Sequence, residues 1–147
     1  GWVAFSGDRE HAADYLHAVE LLASLRLCAN VPGQWAVQTA LGGYQSIANL
    51  TAPGGRLYES RQAIIDGVEK SRFMKLHAPD GAMYAFPSVD VSKIPGFSDQ
   101  AFALELLEKK HILIAPGSSF NVPYTNHFRL TTLPDDRELE LVFERME

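Results

Sequence analysis

The sequence predicts an α+β fold, and three observations carry that expectation. Residues 1 to about 70 read mainly as helices with apolar stripes. Residues 71–147 alternate short extended runs with helices. Two of those runs are split by the turn residues "PDG".

The N-terminal "WVAF" (2–5) reads as a short buried strand, and "SGD" turns the chain into a helix. From about Asp8 to Leu27, Ala12, Leu16, Val19 and Ala23 recur at steps of three and four. "ANVPGQ" (29–34) breaks that helix; Asn30 is placed to cap the next, with Pro32 in its first turn. This second helix presents Val37, Leu41, Tyr44 and Ile47 or Ala48, with Gly42-Gly43 expected inside it. "TAPGG" (51–55) ends it, and a third helix runs from about Arg56 to Lys70.

Extended runs follow at Phe73–Leu76 and Ala82–Phe86, and Pro87 is expected to end the second. Ser98 or Asp99 caps a fourth helix through Phe102, Ala103, Leu106 and Leu107. "ILIA" (112–115) reads as a strand, "PGSSFNVPYTN" as a loop and "FRLTTL" as a strand. A final helix begins at Asp135, where Glu138 stands three residues on, as in a capping box.

The 147 residues suffice for one domain or slightly more, with a real core. Apolar residues make up 46% and charged residues 21%, a globular balance. The net charge of −5 argues against a chain that binds nucleic acid or acidic membranes through bulk charge. No window approaches 18 consecutive apolar residues, so no transmembrane helix is expected. "GWVAFSGDRE" lacks the pattern of a signal peptide, and the single Cys28 fits a reducing cytoplasm. The chain opens on an apolar run, and its first part holds too little sheet for a domain, which suggests a piece of something longer.

Few residue patterns in the chain support chemistry. None of the five histidines forms an i, i+4 pair, and no metal site is expected. "PGSSFN" is not a nucleophile elbow, and phosphate-binding and dinucleotide-binding glycine loops are absent. Lysines 70, 75, 93, 109 and 110 lie in charged contexts unlike that of a buried Schiff-base amine. Arg129 is left, in "NHFRLTT" (126–132). Phe128, Leu130 and Thr132 share one face of this strand, and His127, Arg129 and Thr131 the other. Two readings stand: a wet-face arginine, or a planar fork of donors aimed at an anion.

Six stretches, in order, resemble the C-terminal part of class I/II aminotransferases, fold type I enzymes that use pyridoxal 5′-phosphate. They are "GWVAFSG" (1–7), "RLCANVPGQWAVQTALGGYQ" (26–45), "PGGRLYESR" (53–61), "DGAMYAFPSVD" (80–90), "ILIAPGSSF" (112–120) and "HFRLTTL" (127–133). The second and third look most like the bacterial alanine (glutamate–pyruvate) branch. The resemblance implies that Arg129 binds the α-carboxylate of an amino acid or 2-oxo acid substrate. It implies ping-pong amino transfer, a homodimer, and residues 71–147 as a small C-terminal domain with a mainly antiparallel sheet of three or four strands. Residues 53–70 would then be the connecting helix, and 1–52 a remnant of the large cofactor-binding domain. The Schiff-base lysine and the other cofactor ligands would lie upstream of Gly1. The fragment alone is therefore expected to bind no cofactor and to be inactive. Residues 1–50 are expected to fold onto the small domain or to pair with a second copy. "APGSSF" (115–120) resembles the family loop near the substrate mouth, reads otherwise as a plain turn, and takes no named role. Arg26 lies near a family side-chain-reading position but misses it by about one residue. Two other readings stay open: another fold type I activity such as a C–S lyase, and a non-catalytic α/β binding module.

Overall fold

The computed structural model describes residues 3–146, so Gly1, Trp2 and Glu147 lie outside the described residues. The chain divides into two compact units, residues 1–45 and 46–147.

In the first unit, a 3₁₀ turn at Glu10–Ala12 leads into helix α1 (Ala13–Ser24), and helix α2 spans Val31–Gly42. Asn30 caps α2: its side chain accepts the Gly33 N–H at 2.8 Å, and Pro32 sits in the first turn. Two expectations fail here. Of the strand expected at 2–5, Trp2 lies outside the described residues, and Val3–Phe5 form no strand, because an extended run becomes one only beside a hydrogen-bonding neighbour and none lies there among the described residues. Phe5 instead meets Tyr15 edge to face at 6.4 Å, and its carbonyl accepts from Arg9. Nor does the second helix run through Gly42-Gly43. The Gln45 side chain donates to the carbonyls of Ala40 and Gly43 and closes the helix there.

The second unit begins with the short helix α3 (Ser46–Thr51) and then α4 (Arg56–Lys70), with the bounds the periodicity predicts. Strands β1 (Met74–Lys75), β2 (Tyr84–Ala85) and β3 (Ser88–Val89) follow. Helix α5 (Asp99–Glu105) continues as a π-helical turn to Lys110. Ser98 caps α5 by accepting the Ala101 N–H. Next come β4 (Ala115–Pro116), a 3₁₀ turn at Gly117–Phe120, β5 (Phe128–Thr131) and α6 (Asp136–Met146). Asp135 caps α6, accepting the Glu138 N–H at 2.8 Å.

The strands are antiparallel, but they form two small sheets rather than one: β1–β3 and β2–β5–β4. A bridge between Ser88 and His127 links them. Pro87 does not end the extended run. Its carbonyl accepts the Phe128 N–H at 3.1 Å, so the missing N–H costs no ladder bond and the chain resumes as β3. "ILIA" is a strand only at Ala115. Ile112 and Ile114 are buried with Leu113 turned outward, so the alternation is real although the ladder is not.

The core gathers Ile64 and Val68 of α4, Ala85, Val89, Leu106, Ile112, Ile114, Phe128 and Leu130, and Leu139 and Phe143 of α6. Each fully buried apolar side chain of this size contributes roughly 1.5–3 kcal/mol of transfer free energy. Helices α4 and α6 touch closely at Gly67, where a Cβ would lie 2.4 Å from the Phe143 ring. The buried Ser60 hydroxyl donates to the Pro134 carbonyl at 2.7 Å, and Arg56 donates to the Leu133 carbonyl at 2.7 Å. These bonds tie α4 to the chain that leaves β5 and so fix the strand that carries Arg129.

Candidate carboxylate site

β5 is the middle strand of its sheet. Tyr84 pairs with Thr131 and Ala85 with Leu130 on one side; Ala115 pairs with Arg129 and Pro116 with Phe128 on the other. Phe128 is 0% exposed, and Leu130 and Thr132 are buried with it. The period of two therefore sends Arg129 to the other face, where it is half-buried.

Two rings hold the guanidinium on that face. Its Cζ lies 4.3 Å from the Tyr84 ring centre and 4.5 Å from that of Phe120. Contacts of this kind contribute about 0.5–1 kcal/mol each at exposed sites and orient the planar group. The ion pairs among the described residues belong to His11, Lys75, Lys93 and Lys109; none involves Arg129. Its N–H donors also take no hydrogen-bond acceptor among the described residues. Arg129 is thus flanked by two rings and pairs with no acidic side chain among the described residues.

The surrounding face is aromatic. His127 stacks on Phe86 at 5.1 Å and lies 4.1 Å from the Tyr124 ring, and Phe86 meets Phe120 edge to face at 5.8 Å. Burial pushes the His127 pKa below its ordinary 6.5, so the ring is neutral at pH 7. Asn126 donates its Nδ2 to the Val89 carbonyl at 2.9 Å, which turns its Oδ1 toward His127 Nδ1 at 2.9 Å. The oxygen can only accept, so the imidazole proton sits on Nδ1 and Nε2 keeps its lone pair.

The turn that carries Phe120 is pinned from two sides. Gly117 N–H donates to the His127 carbonyl at 2.8 Å, and a Cβ at Gly117 would lie 2.5 Å from that oxygen. Ser118 N–H donates to Asp99 Oδ2 at 2.7 Å. Asp99 is 3% exposed. Burial alone would raise its pKa, but the Ser118 and Gln100 donors outweigh that and hold it below the usual carboxylate value. The resemblance places the 115–120 loop near the substrate mouth without a named role; Tyr84, Asp99 and the packing of Phe120 on Arg129 were not read from the sequence, where the signals were Tyr84 and Phe86 at a spacing of two and a phenylalanine just after "PGSS".

A cleft of about 470 Å³ opens beside the sheet, lined by Tyr84, Ile114, Arg129, Thr131, Leu133 and Val142. A slightly larger hollow of about 520 Å³ contains Arg61 instead. Arg61 Nε already donates to the Pro79 carbonyl at 2.7 Å, which gives that arginine a structural task. Arg26 is exposed, and its Nε reaches only the Cys28 carbonyl at 3.4 Å. Lys70, Lys75, Lys93, Lys109 and Lys110 are all exposed, and the Lys109 pKa is raised by its bond to Glu105. Among the described residues no three His, Cys, Asp or Glu side chains come together as metal ligands, and no helix is long and apolar enough to cross a membrane.

Residues 3–146 match the family described as "Aminotransferase class I and II". The chain is 45% identical over 143 residues to the glutamate-pyruvate aminotransferase AlaA of Escherichia coli K12, covering 96% of this chain and 35% of that protein. It is 42% identical over 146 residues to an alanine aminotransferase of Mycobacterium tuberculosis, covering 99% of this chain and 34% of that one. A crystal structure of an Escherichia coli aminotransferase superposes with a TM-score of 0.84 at 42% identity, covering 95% of this chain and 35% of that one. The alanine aminotransferase of Pyrococcus furiosus superposes at 0.78 with 30% identity, covering 92% and 34%. The chain spans about a third of the length of the curated relatives it matches. Over that span it belongs to the class I and II aminotransferases.

Proposed function

We propose that this chain is the C-terminal part of an alanine/glutamate-type aminotransferase, and that Arg129 binds the α-carboxylate of the amino acid and 2-oxo acid substrates. One observation carries the reading: a guanidinium on a central strand, flanked by two rings and paired with no carboxylate among the described residues. An arginine held in this way presents two parallel N–H donors to a carboxylate. The names of the relatives, glutamate-pyruvate and alanine aminotransferase, support the substrate class.

The family implies pyridoxal phosphate, which supplies an electron sink at the substrate Cα. The lysines of this chain do not fit its attachment. All are exposed, and the bond to Glu105 pushes the Lys109 pKa up rather than down. The chain's own contribution is positional. Two bonds from Arg129 fix the substrate carboxylate, and the Tyr84 and Phe120 rings keep the fork from swinging. Fixing the carboxylate restricts rotation about the substrate Cα, and orientation of this kind supplies several kcal/mol of barrier lowering. The cofactor machinery is assigned to the part of the relatives that this chain does not span. The intact protein is read as a homodimer, and the apolar faces of residues 1–50 are covered by the small domain or by a second copy. On this reading residues 1–52 belong to the large domain, 53–70 to the connecting helix and 71–147 to the small domain.

The test is kinetic. Full-length gene product is assayed with alanine and 2-oxoglutarate, and Arg129→Ala is expected to lose about 2–4 kcal/mol of transition-state stabilisation in kcat/KM. Near-normal kcat/KM in that variant would remove Arg129 from the substrate site.

A further inference from the structure

Asp99 is a buried carboxylate far from Arg129 in sequence, yet its bonds lead to the site. Oδ1 accepts the Gln100 N–H at 2.9 Å in the first turn of α5, and Oδ2 accepts the Ser118 N–H at 2.7 Å in the turn after β4. Both oxygens are thus engaged by backbone donors from two different elements. Gln100 Nε2 adds a longer contact to Ser118 Oγ at 3.4 Å. Two residues beyond Ser118 stands Phe120, whose ring packs on Arg129.

We propose that Asp99 is a positioning residue for carboxylate capture: by holding the Ser118 N–H it sets the 117–120 turn so that the Phe120 ring stays against Arg129. This rests on the reading of Arg129 as the carboxylate clamp. The turn is short, Phe120 is partly exposed, and the pin at Gly117 holds only its first residue. Without the second pin the ring is held from its own turn only by the long Gln100–Ser118 contact and otherwise by its edge contact with Phe86, and the guanidinium would be less ordered when substrate arrives. Ordering it beforehand lowers the cost of binding.

Replacing Asp99 by Asn keeps the shape but sets an NH₂ group against one of two N–H donors. In full-length gene product, Asp99→Asn is expected to raise the KM for alanine about tenfold while kcat changes less than about threefold, with bound cofactor content unchanged. Phe120→Leu is expected to do the same. The double variant is expected to be no more than about threefold worse than the poorer single one, because both changes remove the same contact. An unchanged KM in Asp99→Asn, or effects that multiply in the double variant, would overturn the proposal. If Asp99→Asn does not fold, Asp99→Glu, which displaces the carboxylate by one methylene, carries the same expectations. Arg129→Ala separates the two levels. Near-normal kcat/KM in that variant overturns the clamp itself, whereas a large loss there with an unchanged KM in Asp99→Asn overturns only the role of Asp99.

Discussion

Residues 3–45 and residues 46–146 are built from similar residue types and end in different physical states. The first region has good helix signals and contains no buried residue; Leu27 is 93% exposed and Trp35 82%. The second closes a core around Ile64, Phe128, Leu139 and Phe143, in which side chains from helices and strands interlock. The difference shows which instructions are local. A cap such as Asn30 reaches only three residues and operates without tertiary partners. Burial needs a second surface, and a contiguous exposed apolar patch is the sign of an interaction face.

The largest effect that sharpens this contrast is expected at Phe128. Phe128→Ala should destabilise the second unit by about 3–5 kcal/mol, whereas Trp35→Ala in the same 147-residue chain should stay within about 0.5 kcal/mol, both measured by urea unfolding. A large loss at Trp35 would break the comparison, because it would show that the first region is packed. Gly67→Ala comes next, at about 1–3 kcal/mol, since the added methyl meets the Phe143 ring. Asn30→Ala should cost about 1 kcal/mol of α2 helicity, read by amide exchange, and leave the second unit unchanged.

A smaller effect is expected from pH. Burial holds the folded His127 pKa below 6.5. The unfolded chain therefore binds more protons than the folded chain as pH falls through 6.5, and stability falls with pH until the folded form also takes its proton. Unfolding at pH 7.5 and at 5.5 should show this slope in the parent chain and less of it in His127→Gln.

What was legible in the sequence follows the same division. The bounds of α4, the caps at Asn30, Ser98 and Asp135, and the inward Phe128 and Leu130 all depend on neighbours within a few residues or on simple alternation. β3 was hidden because a proline usually stops a strand, and only the long-range Phe128–Pro87 bond shows that this one does not. The strand expected at 2–5 was apolar enough, but its remaining requirement was a partner that no local pattern supplies. Arg129 could be placed on the outward face from spacing, and its role came from resemblance. Its clamp of Tyr84 and Phe120 could not be read, because those rings lie 45 and 9 residues away along the chain and are brought together by strand register and by the turn that Asp99 holds.

The central claim is that Arg129 binds a carboxylate, and inhibition by a substrate mimic tests it most directly. Propionate carries the carboxylate of alanine without the amine, so its competitive inhibition constant reports on that group alone. In full-length gene product, Arg129→Ala should weaken propionate about ten- to hundredfold, as expected for loss of a charge-assisted pair of bonds. An inhibition constant that stays the same in the variant would contradict the account.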